Sequence, residues 1–409
     1  MFKSIKGWLL GFIEALNIAL DTILVYSGRL RRWWGWQRSS GKQIAWVRLD
    51  AIGDFLLWIE AAKAFVNHYR SKQFSCVLIC NEINHPLAIS MQLWDEVIPV
   101  ARRSFQFNPW YRARLLCHLQ ERRFDIMIHP VISRELAFGD AVVRVAGAME
   151  RIGSRNDGAI IGTLGGDLNR GDSWYTVLHP LIKEEEKARR QIVHELMRNA
   201  DFVQACGVPF RGSGVTYIDP HSSSAHRRWP SPYYVIAPTA GNTRRRWPIE
   251  RFIELISRIR ATTAIDCAVI GQAHEFSPVE HRALCDSKLV DHDLIGEKTS
   301  LLDLTGLLGN ANWVIALDSA IAHWSAATRV RCVVIVGGGH YKRFLPYPQE
   351  IASQVGQQVV VHPMPCFYCN WNCIYDQSIG DTQTYPCIST ITVDDVWQNV
   401  KHLLKQERS

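Results

Sequence analysis

Three short stretches of this sequence carry side chains that can do chemistry together. Val47-Arg48-Leu49-Asp50-Ala51-Ile52-Gly53-Asp54 ends an apolar run on a carboxylate at the turn into a helix. Placed near an acceptor hydroxyl, such a carboxylate takes the proton as the oxygen attacks. Thr239-Ala240-Gly241-Asn242-Thr243-Arg244-Arg245-Arg246-Trp247-Pro248 puts hydroxyls, guanidinium groups and loop N–H groups side by side. That set suits a diphosphate whose leaving-group charge must be neutralised. Asp318-Ser319-Ala320-Ile321-Ala322-His323 opens a helix of small residues, whose first N–H groups can bind phosphate or sugar oxygens. Each stretch also has a plain structural use: Asp54 as a helix cap, the arginines as a surface run, His323 as a packed ring. The five-residue step from Asp318 to His323 permits a direct pair without requiring one.

The elements around these stretches alternate. Apolar runs at 43–49, 75–80, 96–100 and 124–130 read as strands, with helices near 55–70, 85–93, 109–121 and 134–147. A charged helix is expected at 184–206, and a stretch rich in Gly, Pro, Ser and His then breaks the pattern, placing a linker at 211–232. The alternation restarts with strands at 233–238, 266–271, 313–317 and 331–336 and helices at 248–260 and 320–327. Thr392-Val393-Asp394-Asp395 reads as a capping box opening a last helix to Leu404. The expectation is an α/β chain of two Rossmann-like domains, 43–210 and 233–390, facing a central cleft at the carboxyl ends of their strands, with a C-terminal helix at 391–409. No G-x-G-x-x-G or Walker loop follows a strand. Gly337-Gly338-Gly339-His340 reads as close approach to a ligand or a tight turn.

The 409 residues carry a net charge of +7, and residues 1–42 hold five of those charges: Lys3, Lys6, Arg29, Arg31, Arg32, Arg38 and Lys42 against Glu14 and Asp21. The nearly neutral body argues against a nucleic-acid surface. Trp8 to Tyr26 is rich in apolar residues, but it lacks the cleavage site of a signal peptide after its core. Glu14, Asn17 and Asp21, at helical spacings of three and four, argue against a membrane span, which needs about 20 residues nearly free of charge. Segment 1–42 is therefore expected to lie in a membrane interface as an amphipathic, basic helix, with Trp33, Trp34 and Trp36 at the headgroup boundary. The alternative is a helix packed on the protein's own body.

In order, spacing and context the three motifs resemble glycosyltransferase family 9, best known for the lipopolysaccharide heptosyltransferases that use ADP-heptose. The resemblance covers roughly residues 43 to 404. It implies the GT-B arrangement, with an N-terminal acceptor domain and a C-terminal nucleotide-sugar domain, and an inverting reaction without a catalytic cofactor or metal. The family's R-x5-GD pattern matches Arg48 and Asp54 and makes Asp54 the catalytic base. Its K-R-W-P becomes Arg245-Arg246-Trp247-Pro248, a planar fork in place of a lysine point charge. Its D-S-G-x-x-H keeps Asp318, Ser319 and His323 but has Ala320 for the glycine, and its G-x-x-x-E matches Gly271 to Glu275. The resemblance thus implies a donor site of Thr243, Arg245, Arg246, Glu275, Asp318, Ser319 and His323. The partners it implies are an ADP-heptose-like nucleotide sugar, a lipid-linked glycan acceptor such as lipopolysaccharide core, and the cytoplasmic face of the inner membrane. The rivals are a protein-modifying transferase and a catalytically silent glycan-binding scaffold, against which the intact Asp54 and basic loop weigh.

Seven of the eleven cysteines lie singly, several within apolar runs, the pattern of reduced, buried thiols in a cytosolic protein. Cys366, Cys369, Cys373 and Cys387 are different, being compact and loop-borne within 363–390. In a reducing compartment four such thiols point to a structural zinc or iron site, with disulfides or packed thiols as alternatives. Some relatives carry similar C-terminal cysteines, and one group holds iron there.

Overall fold

The structure, a computed structural model, describes residues 2–33, 41–155, 171–180, 192–212, 214–222, 232–297, 299–376, 378–380 and 383–407. The chain divides into two compact units, Met1–Gln191 with Met197–Ser213 and Ile192–Leu196 with Gly214–Ser409. The last change of unit, between Ser213 and Gly214, falls within the stretch 211–232, while the short piece Ile192–Leu196 ahead of it groups with the second unit.

The first unit holds β1 (Gln43–Arg48), β2 (Ser75–Asn81), β3 (Glu96–Val100), β4 (Ile126–His129), β5 (Glu150–Ser154) and β6 (Val177–His179), in the order β3-β2-β1-β4-β5-β6. The second holds β7 (Tyr233–Ala237), β8 (Asp266–Gly271), β9 (His292–Ile295), β10 (Val314–Leu317), β11 (Cys332–Ile335) and β12 (Gln357–Val360), in the order β12-β11-β10-β7-β8-β9. The ladder pairs in both sheets are parallel. Numbered within its own unit, each sheet has the same 3-2-1-4-5-6 order. The chain direction across the sheet reverses between β1 and β4 and between β7 and β10, and ligands bind at the carboxyl ends of strands at such a switch. Helices cover both faces, so the central strands are buried throughout, which is why Ile44 to Val47 and Val314 to Leu317 are unbroken apolar runs.

Several sequence expectations need correcting. The helix expected at 134–147 is a π-turn, Leu136–Asp140, followed by a helix at Ala141–Ala146. The π-turn brings Asp140 into a buried network in which it accepts from the Tyr175 hydroxyl and from Arg134, with His129 bonded to Tyr175. The helix expected at 85–93 is a 3-10 turn, Glu82–Asn84, and a helix His85–Ser90. Of the helix expected at 184–206, the described part is Glu195–Ala205, and 181–191 lies outside the described residues. The last helix, Val393–Glu407, starts at the expected box: Asp395 N–H donates to Thr392 Oγ1 at 3.2 Å and Thr392 N–H to Asp395 Oδ2 at 2.8 Å. Its Val396, Val400 and Leu403 close the core of the second unit.

The N-terminal helix, Phe2–Trp33, packs on the first unit, and it does so through its polar face. Arg112 grips Asp21 with both nitrogens, Nε to Oδ1 at 2.7 Å and NH2 to Oδ2 at 2.6 Å, and both side chains are buried. Burial pushes the Asp21 carboxyl above its usual range while Arg112 works the other way. Asn17 Nδ2 donates to the Gln106 carbonyl at 2.9 Å, and Gln120 Nε2 donates to the carbonyls of Leu24 and Val145. Gly28 lets the helix approach Gln120, which a Cβ there would displace. Losing one partner of a buried pair such as Asp21–Arg112 costs about 3–5 kcal/mol, so the helix is fastened. The alternative expected for this segment is the one seen: the helix is packed on the body, with its apolar side outward. The cationic and indole-rich residues 34–40 lie outside the described residues.

Candidate active site

In the first unit the carboxyl end of β1 runs straight into the turn that carries Asp54. The helix Ile52–Ser71 begins after Ala51, which makes no side-chain cap bond, and Asp54 falls in its first turn. Asp54 is therefore not the N-cap. Arg48, almost wholly buried, ties this turn together. Its NH1 donates to the Pro130 carbonyl beyond β4, its NH2 donates to the backbone carbonyl of Asp54 at 3.0 Å and pairs with Asp50 at 2.7 Å, and its guanidinium lies over Trp58. Further donors converge on the turn from neighbouring strand ends. Asn81 and Asn84 both reach the Asp50 carbonyl at 3.3 Å, and Arg102 NH1 reaches that of Leu49 at 2.7 Å. Asp54 thus sits on a backbone held by β1, β2, β4 and the residues after β3, the precision a proton-transfer group needs. Asn81, Asn84 and Arg102 were not legible as site residues. Their one signal was a polar residue just past an apolar strand.

In the second unit the loop after β7 and the helix after β10 meet at the switch point. Arg246 is spent on the backbone: Nε donates to the Ala240 carbonyl at 3.1 Å and NH1 to that of Glu275. Glu275 Oε2 accepts from Thr239 Oγ1 at 2.9 Å and from Gln272 N–H at 3.1 Å, closing a capping box that joins the ends of β7 and β8. Arg244 pairs with Asp376 at 2.9 Å and lies over Tyr385. Thr243 is exposed at the loop tip. Arg245 stacks on Trp371, with its guanidinium carbon 4.2 Å from the ring centre. Burial lowers its pKa, against the pull of the Asp318 charge.

Asp318 directly follows β10, where burial pushes its carboxyl up to about 6 despite Arg245. Ser319 is the N-cap residue of the helix Ala320–Thr328 but makes no cap bond. Its buried hydroxyl has no hydrogen-bond partner among the described residues, and the same holds for Nε of Arg245 and for Nε and NH2 of Arg244. Ala320 sits in ordinary helical backbone, so no glycine-only conformation is needed in that position. His323 is not paired with Asp318 in any described contact. It is buried, its Nδ1 meets the Tyr347 hydroxyl at 2.7 Å, and burial drives its pKa down to about 3. The ring is packed on the buried side of this helix, against Tyr347 and Phe344.

Residues 174–367 match the model of glycosyltransferase family 9 (heptosyltransferase). The match spans 194 of the 409 residues, so a little under half of the chain is similar to that family. The fold agrees with GT-B glycosyltransferases. The structure of Escherichia coli ADP-heptose lipopolysaccharide heptosyltransferase II superposes with a TM-score of 0.61 at 17% identity, over 90% of this chain and 100% of that one. A glycosyl transferase family 9 structure from Veillonella parvula gives 0.62 at 16% identity, over 89% and 97%. The iron-containing dodecameric glycosyltransferase TibC of enterotoxigenic E. coli gives 0.50 at 14%, over 91% and 78%. No curated protein matches the sequence significantly.

The cysteine-rich segment is built against the glycine loop that follows β11. Tyr368 N–H and Asn370 N–H donate to the carbonyls of Gly338 and Gly339 at 2.8 and 3.0 Å, and Gly338 N–H points to Cys387 Sγ at 3.4 Å. Side chains at Gly337, Gly338 and Gly339 would collide with Trp371 and Phe367. The glycine triplet therefore admits the chain's own aromatic rings, where close approach to a ligand or a tight turn was expected. Tyr368, Asn370 and Trp371 all have positive φ, at 71°, 50° and 62°, around Cys369. Non-glycine residues hold that conformation where their surroundings impose it. All four cysteines of the segment are free thiols, with Cys387 buried and pushed up to about 11 by burial and then by the neighbouring thiols. Among the described residues, the set of three ligand-type side chains whose donor atoms all lie within 4.8 Å of one another is elsewhere, at His281, Cys285 and Asp293. That set already holds a surface His281–Asp293 contact of 2.7 Å.

Proposed function

We propose that this protein is an inverting glycosyltransferase that moves a sugar, heptose being the first candidate, from a nucleotide diphosphate to a lipid-linked saccharide at the inner face of the cytoplasmic membrane. The observation that carries the reading is the group of unpartnered donors on Ser319, Arg244 and Arg245 at the end of β7 and β10, beside a helix N-terminus. Buried donors without acceptors are costly, and a diphosphate would satisfy them. Asp54 removes the proton from the acceptor hydroxyl, whose oxygen bonds to the anomeric carbon. The bond from that carbon to the diphosphate oxygen breaks, its electron pair leaves with the nucleotide diphosphate, and Arg245 with the helix start receives the charge. Arg246 and Glu275 hold the loops in place around this contact. E. coli heptosyltransferase WaaC was solved with ADP-2-deoxy-2-fluoro heptose and with ADP, which favours an adenine nucleotide and a heptose as the first donor to try. Purified protein offered a panel of nucleotide sugars should release nucleotide from one of them, faster with a lipid-linked acceptor than without. No release from any donor would reject the reading.

The thiols of Cys366, Cys369, Cys373 and Cys387 fit zinc or iron by donor type, and the backbone N–H group aimed at Cys387 is what a thiolate attracts. Such a metal would brace the segment on which Arg245 stacks and supply no step of the transfer. Protein purified under reducing conditions should carry about one equivalent of zinc or iron, lost on replacing any of the four by serine, with a lower melting temperature and transfer retained in part. Elemental analysis without stoichiometric metal, and four thiols titrating freely in the native protein, would make them packed cysteines.

A further inference from the structure

We propose that the outward face of the N-terminal helix is a fixed surface for insertion into an anionic lipid monolayer, which deepens the membrane part of the reading above. From residue 8 to residue 28 the exposed positions are Trp8, Leu9, Phe12, Ala15, Leu16, Ala19, Ile23 and Tyr26, every one of them apolar. Trp8 is 80% exposed, Phe12 61% and Ile23 65%. At a helical turn of 100° per residue these eight fall within an arc of about 120°. The acidic and amide side chains of the same stretch, Glu14, Asn17 and Asp21, are the ones buried. This is the reverse of a helix packed on a water-soluble core. A face so arranged is stable only against something apolar.

Lipid is the occupant that the remaining observations favour. In the sequence the stripe is flanked by Lys3 and Lys6 before it and by Arg29, Arg31 and Arg32 after it, a complement to anionic headgroups. At its far end an open cavity of about 510 Å³ is lined by Tyr26, Arg144, Arg151 and Trp174, among others. Arg144 lies over Trp174 and donates from NH2 to Thr22 Oγ1 at 3.0 Å. Arg151 donates from Nε to the Trp174 carbonyl and from NH1 to the Ala148 carbonyl, both at 2.6 Å, so two guanidinium groups stand beside the end of the stripe. The fastening of Asn17, Asp21 and Leu24 to Gln106, Arg112 and Gln120 argues for a helix lying in the interface. A transmembrane path would draw the helix bearing Arg112 into hydrocarbon. The helix that Asn17 binds, Arg102–Phe107, also supplies the Arg102 that holds the Leu49 carbonyl in the Asp54 turn. The helix that carries the stripe and the turn that carries Asp54 are thus tied to the same short helix.

The test is co-sedimentation of the full chain with phosphatidylglycerol-containing and with pure phosphatidylcholine vesicles, alongside transfer to a soluble acceptor fragment. Wild-type protein should prefer the anionic vesicles and bind them less as salt rises. The doubly charged Phe12→Asp, Leu16→Asp variant should bind about ten-fold less with an unchanged melting curve. Arg151→Gln should lose a few-fold of the anionic preference alone. Both variants should act on the soluble acceptor as wild type does, which separates this proposal from the catalytic one. Equal vesicle binding by the doubly charged variant would overturn it. So would release by detergent alone regardless of salt, the mark of a span, or self-association through the stripe without vesicle binding, the mark of a second copy of the chain.

Discussion

Replacing Asp54 by asparagine is expected to slow transfer by about a hundred- to ten-thousand-fold, the range of a lost general base. Nucleotide-sugar affinity should stay within a few-fold. The expectation rests on how the turn is held. Arg48 grips the backbone carbonyl of Asp54 and the Asp50 carboxylate, while Asn81, Asn84 and Arg102 hold the carbonyls of Leu49 and Asp50. The isosteric amide therefore leaves the scaffold intact and removes the basic oxygen. Because the donor loops belong to the other unit, the loss should fall on turnover rather than on binding. Equilibrium donor binding and single-turnover rates on the same preparation decide it. A variant that transfers at close to the wild-type rate removes Asp54 from the mechanism.

The second large effect is expected at Arg245. Truncation to alanine should weaken the nucleotide diphosphate by about 1.5–3 kcal/mol, the worth of a charged hydrogen bond, which is about ten- to a hundred-fold in Kd. Arg245 is the arginine of the loop that stands beside Asp318 while stacked on Trp371, with a buried Nε that no described group satisfies. Arg246 offers the contrast: its guanidinium is tied to the Ala240 and Glu275 carbonyls, so Arg246→Ala should disturb the loop and lower stability along with affinity. Calorimetric titration with the free nucleotide diphosphate measures both. Unchanged affinity in Arg245→Ala would dismiss it as the clamp.

How far the sequence could be read follows from burial. The two sheets were legible where strands are covered on both faces, as at Ile44 to Val47 and Val314 to Leu317, because two-sided burial demands an unbroken apolar run. Strands β5, β6, β9 and β12 escaped notice: they lie at or beside a sheet edge, span three to five residues, and carry polar residues such as Gln357 and His292. The proposed site was drawn from its motifs, since a carboxylate, an arginine run and a helix start after apolar strands announce themselves. The division of labour inside those motifs was not legible, because Arg245 and Arg246 are chemically alike and differ only in what surrounds them. The polar spacing of Glu14, Asn17 and Asp21 correctly indicated one helical face. It did not say that this face turns inward, because nothing local marks Arg112, some ninety residues on, as its partner.

The central claim, a single displacement at the anomeric carbon driven by Asp54, is tested most directly by the configuration of the product. Proton NMR of the glycoside formed with the donor that turns over should show the anomeric configuration opposite to that of the nucleotide sugar, and no glycosyl-enzyme adduct should appear by mass spectrometry. A product that retains the donor's configuration would contradict the account.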